Sequence, residues 1–426
     1  MKRGFYVIMA AQFFSSLADN AIFIAAIALL RADGAQDWQT AALVPIFAFF
    51  YVVLAPLVGA FADSQPKGRV MFFSNAVKAV GCAMMLFGSH PLLSYAVVGL
   101  GAAAYSPAKY GILTELLPPS QLVKANGWIE GLTIASIILG VLLGGQLVSP
   151  YVANHLLSFD FPFVDTGVET PAEAAIAAIM VLYVLAAMIN MRIPHTGVVM
   201  RPLPRNLFSL LPDFWRCNAR LWNDRLGQIS LATTTLFWGV SGNLRYLVLA
   251  WAAAALGYGV PQASKLVGVV AIGTAVGAIW ASMRVRLDRA TTVMPLGVLM
   301  GALVILLIFI DELWMAVPFL ILLGGLGGFL VVPMNALLQH RGHNLMGAGR
   351  SIAVQNFNEQ ACILGLGFIY SMSTKAGASA YVSVFWFGLL VTLTMVAIQG
   401  WYLYNLRHHP IEIKRLLAIA RSDHKH

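Results

Sequence analysis

Six ionisable side chains interrupt stretches of the sequence that are otherwise strongly apolar. They are Asp19, Lys78, Lys109, Glu130, Arg245 and Glu359. A charge placed in hydrocarbon costs about 3 kcal/mol on insertion scales, so such residues normally face a wet cavity or a partner. Arg and Lys bind phosphate through charge-assisted hydrogen bonds, whereas a carboxylate or an aromatic face binds an ammonium group. These side chains therefore indicate a protein that carries something polar across a bilayer.

The composition agrees with a membrane environment. Of the 426 residues, 59% are hydrophobic and 11% are charged, and the mean hydropathy is +0.78. A soluble domain carries about 25% charged residues, so a water-soluble fold is excluded. Cys82, Cys217 and Cys362 are isolated from one another, which favours free thiols over a disulfide or metal framework. The sequence shows no P-loop or zinc pattern, and we expect no cofactor and no metal site.

Twelve apolar segments are long enough to cross a bilayer, which takes about 20 helical residues. They lie at 5–30, 41–62, 70–88, 91–110, 125–148, 172–192, 229–256, 262–283, 291–310, 313–334, 350–373 and 379–404. A polar interval separates the sixth from the seventh. The sequence therefore predicts an all-α integral membrane protein with twelve transmembrane helices in two six-helix bundles. Its predicted parts are an N-terminal bundle at 1–192, a cytoplasmic basic linker with an amphipathic helix at 193–228, a C-terminal bundle at 229–406 and a cytoplasmic tail at 407–426.

Lysine and arginine are distributed unevenly between the connections of these spans. One side carries nearly all of them, whereas the other side carries only Arg31, Lys265 and Lys375. The positive-inside rule makes the basic side cytoplasmic and predicts that both termini lie there. The net charge of +9 therefore reflects topology and contact with anionic membrane lipids, and we expect no nucleic-acid partner.

The two halves share a weak internal repeat. Asn126 and Glu130 stand four residues apart in the fifth span, and Gln355 and Glu359 have the same spacing in the eleventh. In a helix this spacing places both side chains on one face. Two halves related by an axis along the membrane normal would enclose a central cavity and rock about it, which predicts transport by alternating access.

A charged motif follows the second span, with the sequence Gly59-Ala-Phe-Ala-Asp63-Ser-Gln-Pro-Lys67-Gly-Arg69. Glycine permits close helix approach, and the acid with its two bases can form a charge latch between helix ends. The motif resembles the signature loop of the major facilitator superfamily, although glycine does not follow the acid where that family usually has it. We assign Gly59, Asp63, Lys67 and Arg69 to a gating role.

A second resemblance is more specific. It comprises residues 101–118 with the run Ser-Pro-Ala-Lys109-Tyr110-Gly, residues 122–130, and Asp19-Asn20 in the first span. In these stretches the chain resembles the bacterial lysophospholipid transporters. The resemblance implies that it flips lysophospholipids, chiefly lyso-phosphatidylethanolamine, from the outer to the inner leaflet of the inner membrane. A cytoplasmic-face acyltransferase/acyl-carrier-protein synthetase then restores the missing chain, and the transporter itself is not an enzyme.

The charged residues suit this substrate. Asp19 and Arg245 lie on the first helices of opposite halves, so we expect a pair that faces the cavity and is opened by the headgroup. A permanent ion pair between the halves is the alternative. Lys109 beside Tyr110 is a second phosphate candidate, or else a snorkelling lysine. Lys78 lies on the third span, which is usually peripheral, and is interpreted as structural.

Two acids and two amides complete the predicted path. Glu130 and Glu359, inside the cytoplasmic ends of their helices, can close an inner gate or bind the ammonium group as it leaves. Hydrogen bonding to nearby Asn126 and Gln355 is the alternative reading. Asn20 and Asn356 add polar lining, although asparagines in helix bundles more often contact neighbouring helices.

Two other functions fit parts of the pattern. A superfamily exporter or symporter of a soluble amphipathic solute or drug would need a cavity closed to lipid. A membrane-bound acyltransferase would use His155 and Asp160, which have a His-x4-Asp spacing. Those residues lie in a short outer loop with no soluble domain around them, so we predict a transporter and not an enzyme. We expect it to be a monomer.

Overall fold

A computed structural model of the chain describes residues 3–35, 37–158, 167–258 and 260–421. All regular structure in these ranges is helical. The α-helices are α1 (Arg3–Ala32), α2 (Asp37–Val53), α3 (Ala55–Ser64), α4 (Lys67–Leu86), α5 (Pro91–Leu116), α6 (Pro119–Leu147), α7 (Pro150–Leu157), α8 (Pro171–Asn190), α9 (Leu210–Asn223), α10 (Gly227–Leu256), α11 (Val260–Arg284), α12 (Pro295–Leu306), α13 (Leu313–Met346), α14 (Ala348–Lys375), α15 (Ala380–His408) and α16 (Pro410–Arg421). Short 3-10 segments lie at Leu207–Ser209, Leu287–Val293 and Leu307–Phe309. The predicted all-α fold is confirmed. Asp160 of the His-x4-Asp pattern lies outside the described residues.

Most of the long helices are apolar enough to cross a membrane. By length and composition, the described residues contain eight such segments, or nine if the bent pair α2–α3 is one span. The three remaining long helices are α5, α10 and α14. Together these segments coincide with the twelve predicted spans. Each of the three more polar helices carries one of the charges noted in the sequence, namely Lys109, Arg245 or Glu359.

Proline, glycine and capping residues set several of the helix ends. Between α2 and α3 the chain bends by 63°, and Pro56 in the first turn of α3 favours a new helix start because it has no N–H to donate. Gly347 alone separates α13 from α14 with φ 96°, a conformation that suits a residue without a Cβ. A capping box of Thr170 and Glu173 starts α8.

The chain divides into two compact units. The first comprises Met1–Leu116, Ala135–Leu211 and Ala348–Ala353. Within it α4 packs against α5 and α8, α1 packs against α8 and α5, and α2 packs against α5. Ile22, Tyr95 and Ile179 belong to its buried apolar core. This packing brings side chains of α1, α4, α5 and α8 together.

The second unit comprises Leu117–Ile134, Pro212–Gly347 and Val354–His426. In this unit α11 packs along α13, α12 packs along α15, and α10 contacts α11, α13 and α15. Small residues allow these close approaches; a Cβ added at Gly301 in α12 would lie 2.6 Å from the backbone nitrogen of Thr392 in α15. Three helices are shared between the units, since α6 begins in the second unit and α9 and α14 begin in the first. The predicted boundaries of the bundles and linker stay predictions.

The predicted linker helix is present as α9. Leu210, Phe214 and Leu221 are buried, and the Phe214 ring packs edge-to-face on Phe357 with 5.3 Å between centroids. Trp215 is exposed on the same helix. One apolar face of α9 therefore packs on protein, and the predicted contact of the helix with the inner leaflet stays a prediction.

Candidate functional site

Asp19 in α1 is held by side chains from two other helices of the first unit. Lys78 Nζ in α4 donates to Asp19 Oδ2 at 2.8 Å, and Tyr183 Oη in α8 donates to Asp19 Oδ1 at 2.7 Å. The Lys78 side chain is 1% exposed, whereas that of Asp19 is 22% exposed. Because a carboxylate has about four lone-pair sites, the exposed side of Asp19 retains the capacity to accept a further donor.

Lys78 lies in a buried setting of hydroxyl and aromatic groups. Its Nζ also donates to Ser15 Oγ at 3.0 Å and lies 4.8 Å from the ring centroid of Tyr105. Gly101 in α5 leaves room for its side chain, since a Cβ added there would lie 2.6 Å from Lys78 Cγ. The pairing of Lys78 with Asp19 was not predicted from the sequence. The sequence feature that could have indicated this pair is Lys78 itself, a lysine inside an apolar span in the same half of the chain as Asp19.

Arg245 in α10 is exposed within the second unit. Its Nη2 donates to Tyr246 Oη at 3.0 Å, and its guanidinium carbon lies 4.9 Å from the centroid of that ring. Among the described residues of its own unit it has no other hydrogen-bond or ion-pair partner, so within that unit most of its five N–H donors remain available to a ligand. The predicted pair of Asp19 and Arg245 joins residues of different units and stays a prediction.

The other residues assigned to the first half have local partners. Lys109 is buried in α5, and its Nζ lies 4.0 Å from the ring centroid of Tyr110, which is a cation–π contact. Asn20 donates its side-chain amide to the carbonyl oxygen of Ser16 at 2.8 Å. The structure therefore brings Lys109 and Tyr110 together, while Asn20 bonds to its own helix.

The charged motif after α3 forms a buried network in the first unit. Lys67 Nζ lies 3.2 Å from Asp63 Oδ1 and 3.0 Å from Glu115 Oε1. The Asp63 carboxylate also accepts the backbone N–H groups of Gly349 at 2.7 Å and Arg350 at 3.0 Å. These amides belong to the first turn of α14, where the helix dipole favours a negative charge.

Gly59 and Arg69, the other two residues of the motif, do not form ion pairs with Asp63 or Lys67. A Cβ on Gly59 would lie 2.7 Å from the Ala353 Cβ, so the approach of α3 to α14 depends on glycine. Arg69 takes no part in the network. The second basic group is Arg350, whose Nη1 lies 3.4 Å from Asp63 Oδ2. The observed charge cluster thus uses an arginine distant in sequence in addition to Lys67.

A cluster of amides and acids lies in the second unit. Asn126 and Gln339 exchange two side-chain hydrogen bonds of 3.0 and 2.9 Å. Gln355 Nε2 donates to Asn335 Oδ1 at 2.9 Å and to Glu359 Oε1 at 2.8 Å. The reading in which Glu359 hydrogen-bonds with Gln355 is thus observed, and it leaves the gating role of Glu359 a prediction.

Glu130 belongs to the same unit and is buried, as is Glu359. Asn356 is half-buried in α14. Burying a carboxylate is costly unless it is paired, hydrogen-bonded or protonated, and Glu359 meets this condition by accepting the hydrogen bond from Gln355. In the described ranges, no group of three His, Cys, Asp or Glu side chains has an arrangement that could hold a metal ion.

Long apolar helices with a buried ion pair between two of them are the architecture of a multi-pass membrane protein. The sequence model of the Major Facilitator Superfamily matches residues 8–358. The chain belongs to the Major Facilitator Superfamily.

Within this superfamily, the chain is similar to individual proteins of known name. The chain is 40% identical over 400 residues to the protein named "Lysophospholipid transporter LplT" of Escherichia coli O7:K1 (strain IAI39 / ExPEC), covering 94% of this chain and 96% of the relative. The same values hold for the protein of that name in Escherichia coli O9:H4 (strain HS).

Solved structures share the fold. The human organic anion transporter MFSD10 (TETRAN) aligns with a TM-score of 0.69 at 16% identity, covering 94% of this chain and 100% of that chain. The transporter FucP in its outward conformation aligns with a TM-score of 0.69 at 12% identity, covering 93% and 98%. At these identities the likeness shows the fold alone.

Proposed function

We propose that this chain transports lysophospholipids, chiefly lyso-phosphatidylethanolamine, from the outer to the inner leaflet of a bacterial inner membrane by alternating access. The observation that carries the proposal is the 40% identity, over 94% of the chain, to a lysophospholipid transporter of Escherichia coli. On the inner leaflet the product is re-acylated by a cytoplasmic-face acyltransferase/acyl-carrier-protein synthetase. The protein itself moves the lipid and performs no catalysis.

Arg245 binds the substrate phosphate in this proposal. It is exposed, and its contact with Tyr246 occupies one donor while holding the guanidinium plane against an aromatic ring. A guanidinium suits a phosphate because it donates two parallel hydrogen bonds. Lys109, held over Tyr110, is the second phosphate contact, nearer the cytoplasmic end of its helix.

Asp19 binds the ammonium group of the headgroup. Its carboxylate is already neutralised by Lys78, so it attracts a cation less strongly than an isolated acid, and the substrate can leave again. Asn20 and Asn356 contribute polar surface along the path. Glu130 and Glu359 act at the inner gate. Because both carboxylates are buried, each needs a hydrogen-bond or ion-pair partner, and it exchanges that partner during the transport cycle.

The network around Asp63 acts as the conformational latch. Asp63 accepts two backbone N–H groups of the first turn of α14 and contacts Lys67 and Arg350. Gly59 permits the close approach that these bonds require. Opening of the latch breaks several charge-assisted bonds at once, so substrate binding energy is needed to drive it.

The orientation in this proposal has the basic connections and both termini in the cytoplasm. It rests on the distribution of Lys and Arg between the loops. A fluorescent reporter that folds only in the cytoplasm, fused after residue 426, tests this. Fluorescence supports the orientation, and its absence at normal expression contradicts it.

The function is tested by uptake of labelled lyso-phosphatidylethanolamine in spheroplasts that lack their own lysophospholipid transporter. Expression of the chain should produce label on the inner leaflet and, with the acyltransferase present, labelled diacyl lipid. Arg245→Ala should weaken apparent affinity about 10- to 100-fold, because hydrogen bonds to charged groups contribute about 1.5–3 kcal/mol. Arg284→Ala, at the end of α11, is the matched control.

Two results would overturn these assignments separately. Uptake no faster than in cells with empty vector, with the protein present in the membrane, would reject lysophospholipid transport. Wild-type uptake by Arg245→Ala would reject the role of Arg245 while leaving the transport function intact.

A further inference from the structure

The carboxylate of Asp19 has a cation on one side and an open face on the other. Lys78 Nζ lies 2.8 Å from Asp19 Oδ2, and the Lys78 side chain is 1% exposed whereas that of Asp19 is 22% exposed. A ligand can therefore reach the acid but not the base. Lys78 is excluded as a direct phosphate contact, and it acts on a bound molecule only through its charge and through Asp19.

The packing of the first unit fixes Lys78 in this place. Its Nζ donates to Ser15 Oγ at 3.0 Å. Ser15 Oγ in turn donates to Asn75 Oδ1 at 2.7 Å, so the lone pairs of this hydroxyl are left to face the ammonium. The ring centroids of Tyr105 and Tyr183 lie 4.8 and 5.6 Å from Nζ, within the range of cation–π contacts. All of these residues belong to the first unit, so they hold the ammonium as one packed group.

The pair of Asp19 and Lys78 carries no net charge. The phosphodiester of every glycerophospholipid is negative, and an unpaired aspartate would repel it. With Lys78 behind Asp19, that repulsion is largely cancelled. A cation that touches the open face of Asp19 is still attracted, because it lies nearer to the carboxylate than to the ammonium and the energy of two charges falls with their distance.

Two kinds of lysophospholipid headgroup therefore meet this pair differently. An ethanolamine headgroup carries an ammonium and makes the lipid a zwitterion, whereas a glycerol headgroup carries only hydroxyls and leaves the lipid anionic. A carboxylate accepts hydrogen bonds from either group. Removing the charge of Lys78 leaves an acid that favours the zwitterion and repels the anion. Removing the charge of Asp19 leaves a cation with the opposite preference.

We propose that Lys78 sets the charge selectivity of the transport site, as a positioning residue that acts on the headgroup through Asp19. By cancelling the charge of the acid, it limits the preference for zwitterionic over anionic lysophospholipids. The inference rests on the proposed function, in which Asp19 meets the headgroup. An ion pair that only tied α1 to α4 would not discriminate between headgroups.

The test is competitive uptake in spheroplasts that lack their own lysophospholipid transporter. Lyso-phosphatidylethanolamine and lyso-phosphatidylglycerol with the same acyl chain are supplied together at equal concentration, each with its own label. The ratio of the two initial rates equals the ratio of the two kcat/KM values. It does not depend on how much folded transporter is present, so a loss of stability alone leaves it unchanged.

The variants should move this ratio in opposite directions. Lys78→Met should raise uptake of lyso-phosphatidylethanolamine relative to lyso-phosphatidylglycerol about tenfold, and Asp19→Asn should lower it about tenfold, because each leaves one unit charge beside the headgroup. Tyr183→Phe is the matched control. It removes a neutral hydrogen bond from the same carboxylate without changing the charge, so the ratio should stay within about twofold of the wild type.

The double variant keeps the test decisive if Lys78→Met does not reach the membrane. Asp19→Asn/Lys78→Met removes the same ammonium in a background without the acid, and its ratio should exceed that of Asp19→Asn about tenfold. A ratio that stays within about twofold when Lys78 is replaced in either background would overturn the role of Lys78. Uptake of neither lipid by the wild-type chain above the empty-vector level would instead reject the proposed function.

Discussion

The bond between Lys78 and Asp19 allows a quantitative test of how the first unit is held together. In Lys78→Met the ammonium is lost and Asp19 keeps only the hydrogen bond from Tyr183. Removing one partner of a buried ion pair costs about 3–5 kcal/mol. Asp19 is partly exposed and can recover some hydration, so we expect the low end, about 3 kcal/mol, or roughly a hundredfold in the unfolding equilibrium.

Asp19→Asn should be the more damaging change. It removes the negative charge beside the ammonium of Lys78, which is nearly without solvent, and leaves only the neutral amide of the new Asn, Ser15 and the faces of Tyr105 and Tyr183 as its contacts. Cation–π contacts contribute about 0.5–2 kcal/mol each and do not replace a carboxylate. The double variant Asp19→Asn/Lys78→Met removes both charges, and should be less destabilised than the sum of the two single variants by about 1–3 kcal/mol.

The assay is reversible unfolding of the purified protein in mixed micelles, measured for the four members of this double-mutant cycle. Lys124→Met, a change at an exposed lysine of α6, is the control and should stay within about 0.5 kcal/mol of the wild type. A coupling energy near zero, or Lys78→Met as stable as the control, would refute the conclusion that this pair joins α1 to α4.

Three further changes test other contacts. Gly101→Ala should destabilise the protein by about 1–3 kcal/mol through overpacking against Lys78 Cγ, measured in the same unfolding assay; an unchanged midpoint would contradict it. Asp63→Asn should speed amide hydrogen exchange in the first turn of α14 at least tenfold, because the carboxylate that holds those amides is lost; equal exchange would contradict the latch. Asn126→Ala and Gln339→Ala should each cost about 1–3 kcal/mol by orphaning a buried amide, and the double variant should cost less than their sum; strict additivity would contradict the reciprocal bond.

The helices were predictable, and the long-range partners of their charges were not. Apolar runs of about 20 residues determine where spans lie because hydrocarbon excludes other backbone arrangements. Because Lys78 lies on the third span, the sequence predicted a peripheral, structural role for it. Its actual contacts depend on how α4 packs between α5 and α8. A lysine 59 residues from Asp19 has no local spacing that indicates a pair.

The charged motif shows the same limit. Spacing indicated that Asp63 and Lys67 would meet, since residues four apart share a helix face, and they do. It also suggested Arg69 as the second base. The observed base is Arg350, 287 residues away, because the first turn of α14 packs on α3 at Gly59. Only the tertiary arrangement distinguishes Arg350, which belongs to the network, from Arg69, which does not.

The ion pair of Lys78 and Asp19 also constrains how the chain is made. During synthesis, helices leave the translocon in order, and a lysine or aspartate at the centre of a helix opposes entry into lipid by about 2.5–3.5 kcal/mol. Neither α1 nor α4 need bear that penalty alone if α1 waits beside the exit channel until α4 emerges. We therefore expect α1 and α4 to enter the lipid together, each helix neutralising the charge of the other.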